Sequence, residues 1–521
     1  MTSFNLLTEP WIPAITTDGT KLELGIEGTI ARAHDIKEIV DPSPLLQFGM
    51  HRLLVAFITN VFRYDIDDIA DAIARGRFDM DKINAYCQKW NERFDMFDEK
   101  HPFYQVPVNP GDEIKRKTPA YLFKQFPTST GMLHFSMNRI HDNEHAISPA
   151  ACARGLCAIP PFSVIDGGGY SPGVNGSWPP LLSIVRGKNV FETLVLNVPS
   201  IHIEENSGNG TAAWESDEIT IKKEVATVST LEGMTFQSRR VHLFPGDGGT
   251  CTMTGKESSD LVREIVFEQG LKLTGEWKDP SAAYLKTDKG RSGIRLKEGE
   301  DIWRDTGPIT MFTESTRGSE EKKTKIVFNR PHVIHQWDVL VREKLLPWRF
   351  LFVDIYGLRS KPGQAKIYEW RNEAMSMPVE VMNDPDAGNH VLVAMNVAND
   401  INYVIGVSIK KLYPRDGKGN KNALNTIISN ARHDFWSAME PVFRDDFIRS
   451  IARRDKNDVN AWTAVDDAWK KKVIKTGAIV VNAVIESVGS TARIMVNGVA
   501  ARETYNNIIY NKFSKKNVKK Q

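Results

Sequence analysis

Apolar residues recur at helical spacing through Leu46, Met50, Leu53, Leu54, Phe57 and Val61, directly after Pro42 and Pro44. Proline suits a first helical turn, so an amphipathic helix is predicted there, with two more at Ile66–Ala74 and Asp81–Phe94. Ahead of them, Phe4–Ile15 and Leu22–Ile26 read as short strands joined by Thr17-Asp18-Gly19, a hairpin-type turn. From Asn189 the pattern becomes strand-like, at Phe191–Val198 and Ile219–Val228. Gly233–Phe244 is predicted as a strand carrying Arg239 and Arg240 on opposite faces, where a surface or interface salt bridge is the ordinary use. Beyond about Pro378, apolar stripes on Val391–Val397, Ile401–Leu412, Thr426–Phe447, Val459–Ile485 and Thr491–Phe513 predict some four antiparallel helices, a bundle.

One long stretch, Gly131–Trp178, has no sustained period and is predicted as a working loop pair. Gly167, Gly168, Gly169, Gly173 and Gly176 fall within ten residues, which lets the backbone take positive φ and lets another chain come close. The same stretch spells H-x-x-E-H at His141, Glu144 and His145, the inverted zinc-peptidase pattern. That chemistry needs a helix to bring both imidazoles to one face. Asn138, the Asp142-Asn143 pair and Pro149 oppose a helix, and no third ligand stands out. A polar loop is the preferred reading, with a metal-dependent hydrolase as the alternative.

At 521 residues the chain is long enough for two or more domains. It has no run of 18 apolar residues, and MTSFNLLTEPW lacks a signal pattern, so a soluble cytoplasmic protein without a membrane partner is expected. Four cysteines, none in a C-x-x-C pair, suit a reducing compartment better than a disulfide framework. The net charge of +2 hides an asymmetry: residues 401–521 hold 22 Lys and Arg against 11 Asp and Glu. A basic C-terminal part suggests a surface for phosphates or an acidic partner, although a solvated helical domain has the same composition. Trp277–Lys297 is basic and turn-rich, with Lys286, Lys289, Arg291, Arg295 and Lys297. In Gly357–Trp370 the Pro362-Gly363 turn puts Gln364 at a loop tip beside Arg359, Lys361 and Lys366.

These pieces occur in a familiar order. FNLLTEPWIPAITTDG, HPFYQ, the SMNR loop ahead of the glycines, MTFQSRRVHLF, WKDPSAAYLK and FWSAMEPVF together resemble the CasA large subunit of type I-E Cascade. The resemblance spans nearly the whole chain. It implies an α+β protein, a large mixed α/β domain over residues 1–377 and a four-helix bundle over 378–521. It also implies a non-enzymatic role: inspecting duplex DNA for a protospacer-adjacent motif from the minor-groove side, helping to open it, and docking a helicase-nuclease. Base pairing with a guide RNA then reads the rest of the target. Its partners would be the guide RNA, other Cascade subunits, target DNA and that helicase-nuclease. Beside the hydrolase, a purely structural scaffold subunit is the other alternative.

Residue by residue, the resemblance puts the groove-approaching glycine loop on Gly167, Gly168, Gly169 and Gly173. The groove-reaching cation falls on Lys286, with Lys289 close behind. The duplex wedge falls on Gly363 and Gln364, with Gly363 standing where some members carry a polar side chain. Phe135 and Asn138 match the loop that holds the guide RNA and a neighbouring subunit, with one residue more than the usual F-x-N spacing. Some members carry paired cysteines in this region. Here only Cys152, Cys157 and Cys251 lie there, without that pairing, so no zinc or other cofactor is expected.

Overall fold

The structure, a computed structural model, describes residues 2–108, 114–126, 145–165, 170–200, 203, 206–287, 290–298, 301–311, 313–317, 324–360, 366–384, 386–412, 421–455, 457–458, 460–488 and 491–513. The chain forms two compact units. The first comprises residues 1–285, 291–296 and 330–376, the second 286–290, 297–329 and 377–521.

The first unit is built around the helix Pro44–Phe62, which has Pro44 in its first turn and ends at Arg63 in the left-handed region (φ 53°). Its length and composition would suit a membrane span, but 83% of that stretch is buried inside the protein. It is a core helix. Where Gly49 passes the end of the helix Pro149–Cys157, an added Cβ would stand 2.7 Å from the Cys157 carbonyl oxygen, so only glycine permits this crossing.

The same unit holds three antiparallel sheets of three strands. Lys21–Leu24, Ile12–Thr16 and Ile36–Ile39 form one, with Ile12 opposite Leu24. Arg116–Lys117, Glu257–Gln269 and Arg239–Thr250 form the second, bulged between Phe244 and Pro245 where proline cannot donate to the ladder. Ile367–Pro378, Phe350–Ser360 and Leu182–Val185 form the third. Leu45, Phe48, Phe162, Val164, Leu182, Ala282, Tyr284, Tyr356 and Ile367 make one continuous apolar core. Each large side chain buried there contributes about 1.5–3 kcal/mol.

The second unit is mainly helical: Ala387–Ile409, Lys421–Pro441, Ala461–Ser487 and Ala492–Phe513 are its long helices. Gly477 lets Tyr505 and Ile401 close in, since a Cβ there would meet them at 2.4 and 2.5 Å. Trp303 packs edge-on to Trp436 at 5.7 Å and lies 5.1 Å from Phe443, while Arg304 covers the Trp436 ring at 3.7 Å. Pro441 lacks the N–H an α-helix needs, and the next turn, Val442–Phe447, is a π-turn.

Several expectations are corrected. Val190–Leu196 is a helix, capped by Asn189 accepting from the Glu192 N–H, because it is buried nearly all round and has lost its amphipathic period. Thr230–Met234 is also helical, with a reciprocal Ser229/Glu232 capping box, so the strand starts only at Arg239. Within 219–228 just Glu224–Val225 is strand. The region 131–178 is no loop throughout. Ser148 caps a helix at Pro149–Cys157, and Ile159–Phe162 adds a further turn. Ala387–Ile409 is one helix where two were expected.

Candidate nucleic-acid interface

Three segments singled out by sequence converge in the first unit: the glycine loop, the base of the lysine hairpin and the 350–378 strand pair. The junction is Ser177–Ser183, where the glycine loop ends. Leu181 N–H donates to the Ile294 carbonyl at 2.6 Å and Ser183 N–H to the Ser281 carbonyl at 2.7 Å, so both sides of the hairpin base hold it. Its next residues pair with the neighbouring strand, Leu182 opposite Tyr356 and Val185 opposite Val353. Farther along that strand, the Ser360 hydroxyl donates to the Ser177 carbonyl. Arg295 donates from Nε to the Trp178 carbonyl at 2.7 Å.

The stems of the glycine loop are held by Arg239, which is 1% exposed. One guanidinium nitrogen donates to the Val164 carbonyl at 2.7 Å and the other to the Ser171 carbonyl at 2.8 Å. The planar fork thus spans the residues between the two stems. Lys117 adds a second tie, donating to the Tyr170 hydroxyl at 2.6 Å and the Phe267 carbonyl at 2.8 Å. Arg240, on the opposite strand face, pairs with Glu268 at 2.9 Å. The expected salt bridge therefore belongs to Arg240 and the loop ties to Arg239.

A deeper polar link joins the same segments. Arg52 of the core helix pairs with Asp279 at 2.7 Å, both buried. Asn175 of the glycine loop donates to the other Asp279 oxygen at 3.1 Å and to the Pro161 carbonyl at 3.2 Å. The Asp279 N–H donates to the Tyr284 hydroxyl at 2.9 Å. Burial, reinforced by the Asp279 charge, pushes the Tyr284 phenol far up, so it stays neutral. Sequence reasoning assigned no role to Asn175, Asp279 or Arg52. The aspartate lies inside the WKDP stretch, but nothing in the sequence gives its partners.

Of the residues singled out, Gly173 is buried; its N–H donates to the Ser163 carbonyl at 2.8 Å, which makes it a packing position in the loop stem. Lys286 is exposed on the strand Tyr284–Thr287, with no side-chain partner among the described residues. Gly167, Gly168, Gly169, Lys289, Gly363, Gln364, Phe135, Asn138, His141 and Glu144 lie outside the described residues. His145 is 4% exposed, its ring 5.0 Å from Phe126. Cys87, Cys152, Cys157 and Cys251 are buried thiols, and the described residues contain no metal-binding cluster of three or more His, Cys, Asp or Glu.

The sequence model for CRISPR-associated protein Cse1 matches residues 5–477. The chain belongs to the Cse1 family. A relative from Thermus thermophilus, CRISPR-associated protein CasA/Cse1, is 28% identical over 315 residues. That match spans 58% of this chain and 59% of the relative. Thermobifida fusca Cse1 shares the fold with a TM-score of 0.76 at 21% identity, covering 98% of both chains. A chain of a structure titled CRISPR RNA-guided surveillance complex does so with a TM-score of 0.69 at 17% identity, covering 97% of this chain and 100% of that one. The Cse1 fold, mixed α+β with a helical C-terminal region, is thus the fold of this chain.

Proposed function

We propose that this Cse1-family chain is the non-catalytic large subunit of a guide-RNA surveillance complex, recognising a short motif in duplex DNA beside the target. Family membership supports the assignment to such a complex, and a chain of similar fold occurs in a structure titled as one. The observation that carries the DNA role is the junction at Ser177–Ser183. There the glycine loop, the lysine hairpin base and the strand leading towards Gly363 and Gln364 are bonded to one another.

In this reading, residues 1–377 read the motif. The minor groove presents mostly acceptors, to which Lys286 or Lys289 donates, while the bare backbone of Gly167, Gly168 and Gly169 lies close to base edges. Gly173 closes the stem behind them. Such readout is degenerate, so several related motifs would be accepted. Gly363 and Gln364 act as the wedge. Unstacking a base step costs a few kcal/mol, roughly, which one glutamine does not supply. Phosphate contacts from the basic residues within 378–521, then guide pairing, offset it. Phe135 and Asn138 hold the guide RNA or a neighbouring subunit, and the bound complex then recruits a helicase-nuclease.

The test is a gel-shift titration of the guide-RNA complex with and without this chain, in the cytoplasmic range of salt. The probe is a matching duplex beside either a functional motif, found by library selection, or a scrambled one. Tighter binding that needs both chain and motif is expected. Equal binding without the chain would remove the recognition role.

A further inference from the structure

Asp279 serves three segments at once. Its carboxylate is 1% exposed, an environment that penalises charge unless the group is paired. Arg52 supplies the pairing at 2.7 Å, and the Ser281 N–H reaches the same oxygen at 2.9 Å, so that oxygen is committed to the core helix and to the hairpin's entry turn. The second oxygen accepts the Asn175 amide at 3.1 Å.

Asn175 is differently placed. It is half-buried and lies between Gly173, whose N–H is bonded to Ser163, and Gly176, whose φ is +76°. No helix or strand runs through this part of the loop, so its path is held by single bonds: the backbone bonds of the Gly173 and Gly176 N–H groups, and the Asn175 side chain. A single nitrogen, Asn175 Nδ2, spans the Pro161 carbonyl and the Asp279 carboxylate, tying loop, helix turn and hairpin entry at one point. The charge balance of Asp279 does not require it, because Arg52 is already there.

We propose that Asn175 is a positioning and specificity-determining residue, and that its hydrogen bond to Asp279 fixes the stem of the glycine loop on the entry turn of the lysine hairpin. This rests on the reading of those two segments as the motif-contacting elements. It goes beyond that reading by making motif discrimination depend on an amide that touches no DNA. Motif reading by these elements needs the loop stem anchored on the hairpin entry. An unfixed loop still allows phosphate contacts, which carry no sequence information.

The experiment compares the complete complex containing wild-type chain or Asn175→Ala, on duplexes with the functional or the scrambled motif, across a salt series. We expect Asn175→Ala to lower affinity for the functional motif by about tenfold, the scale of one hydrogen bond to a charged group. Affinity for the scrambled duplex and the salt slope are expected to stay unchanged, which a general loss of structure would not produce. Full discrimination by Asn175→Ala, or equal weakening on both duplexes, overturns the proposal. A wild-type complex that ignores the motif instead sinks the recognition reading, and the clamp with it. Asn175→Ser, whose shorter side chain cannot span the Pro161 carbonyl and the Asp279 carboxylate, is run beside it; if the alanine variant fails to assemble, the serine variant is judged by the same criteria.

Discussion

Arg239 and Ser171 are 68 residues apart in sequence, yet the guanidinium of one donates to the carbonyl of the other at 2.8 Å inside the protein. The same guanidinium reaches Val164 at 2.7 Å, so a single side chain closes the stem of the glycine loop. Arg239→Lys keeps the charge but loses the fork, and one of the two carbonyls is left without its donor. Stability should fall by about 1–3 kcal/mol, read from chemical denaturation. An unchanged denaturation midpoint would mean that the two bonds do not hold the stem.

The Arg52–Asp279 pair should behave as a buried ion pair does. Asp279→Ala strands the Arg52 charge and should cost about 3–5 kcal/mol. Replacing both, as Arg52→Met with Asp279→Leu, removes the stranded charge and should recover more than half of that loss. Denaturation of the two variants beside wild type makes the comparison. A double variant as unstable as the single one would show that the Asp279 bonds to Ser281 and Asn175, and not charge, dominate.

His51 gives the first unit a pH dependence. Its Nδ1–H donates to the Gln47 carbonyl at 2.9 Å, and burial, with Arg186 adding to it, lowers the imidazole pKa from 6.5 to about 4. A depressed pKa means that the unfolded chain takes up the proton first. The contribution is therefore fully present above pH 6.5 and is lost as pH falls towards 4. By pH 5 the loss amounts to about 2 kcal/mol. His51→Gln does not titrate, so its stability should fall less between pH 7 and pH 5 by about that amount. Parallel pH profiles would count against the assignment.

Legibility followed burial geometry. The helices Pro44–Phe62 and Ile66–Arg75 were readable because start signals and apolar spacing agreed. Val190–Leu196 was not, since burial on nearly every side removes the polar face that marks a helix, and its valines mimic a strand. The single helix Ala387–Ile409 reads as two stripes, Val391–Val397 and Ile401–Leu412, with Ala398, Asn399 and Asp400 between them, but Asn399 is an exposed helical position that accepts from Arg304 at 2.7 Å. The candidate interface was legible as segments and not as a junction. Asn175 and Asp279 are 104 residues apart, and no local spacing announces a bond between a loop amide and a buried carboxylate.

Two kinds of cation should separate in a salt titration. Lys286 is exposed on the hairpin strand, and Lys471 and Lys475 are exposed one turn apart on the helix Ala461–Ser487. In the proposed division of labour the first reads the motif and the other two meet phosphates. Removing one cation from a phosphate lowers the slope of log K against log salt by about 0.9. Lys471→Ala with Lys475→Ala should therefore flatten the slope by nearly two and weaken functional and scrambled duplexes alike. Lys286→Ala should remove most of the difference between the duplexes and change the slope by no more than about one. The complete guide-RNA complex is titrated from about 50 to 200 mM salt on both duplexes, the range over which counterion release is readily measured. If the two variants gave the same slopes and the same loss of discrimination, motif reading and phosphate binding would not reside on separate residues, and the division would fail.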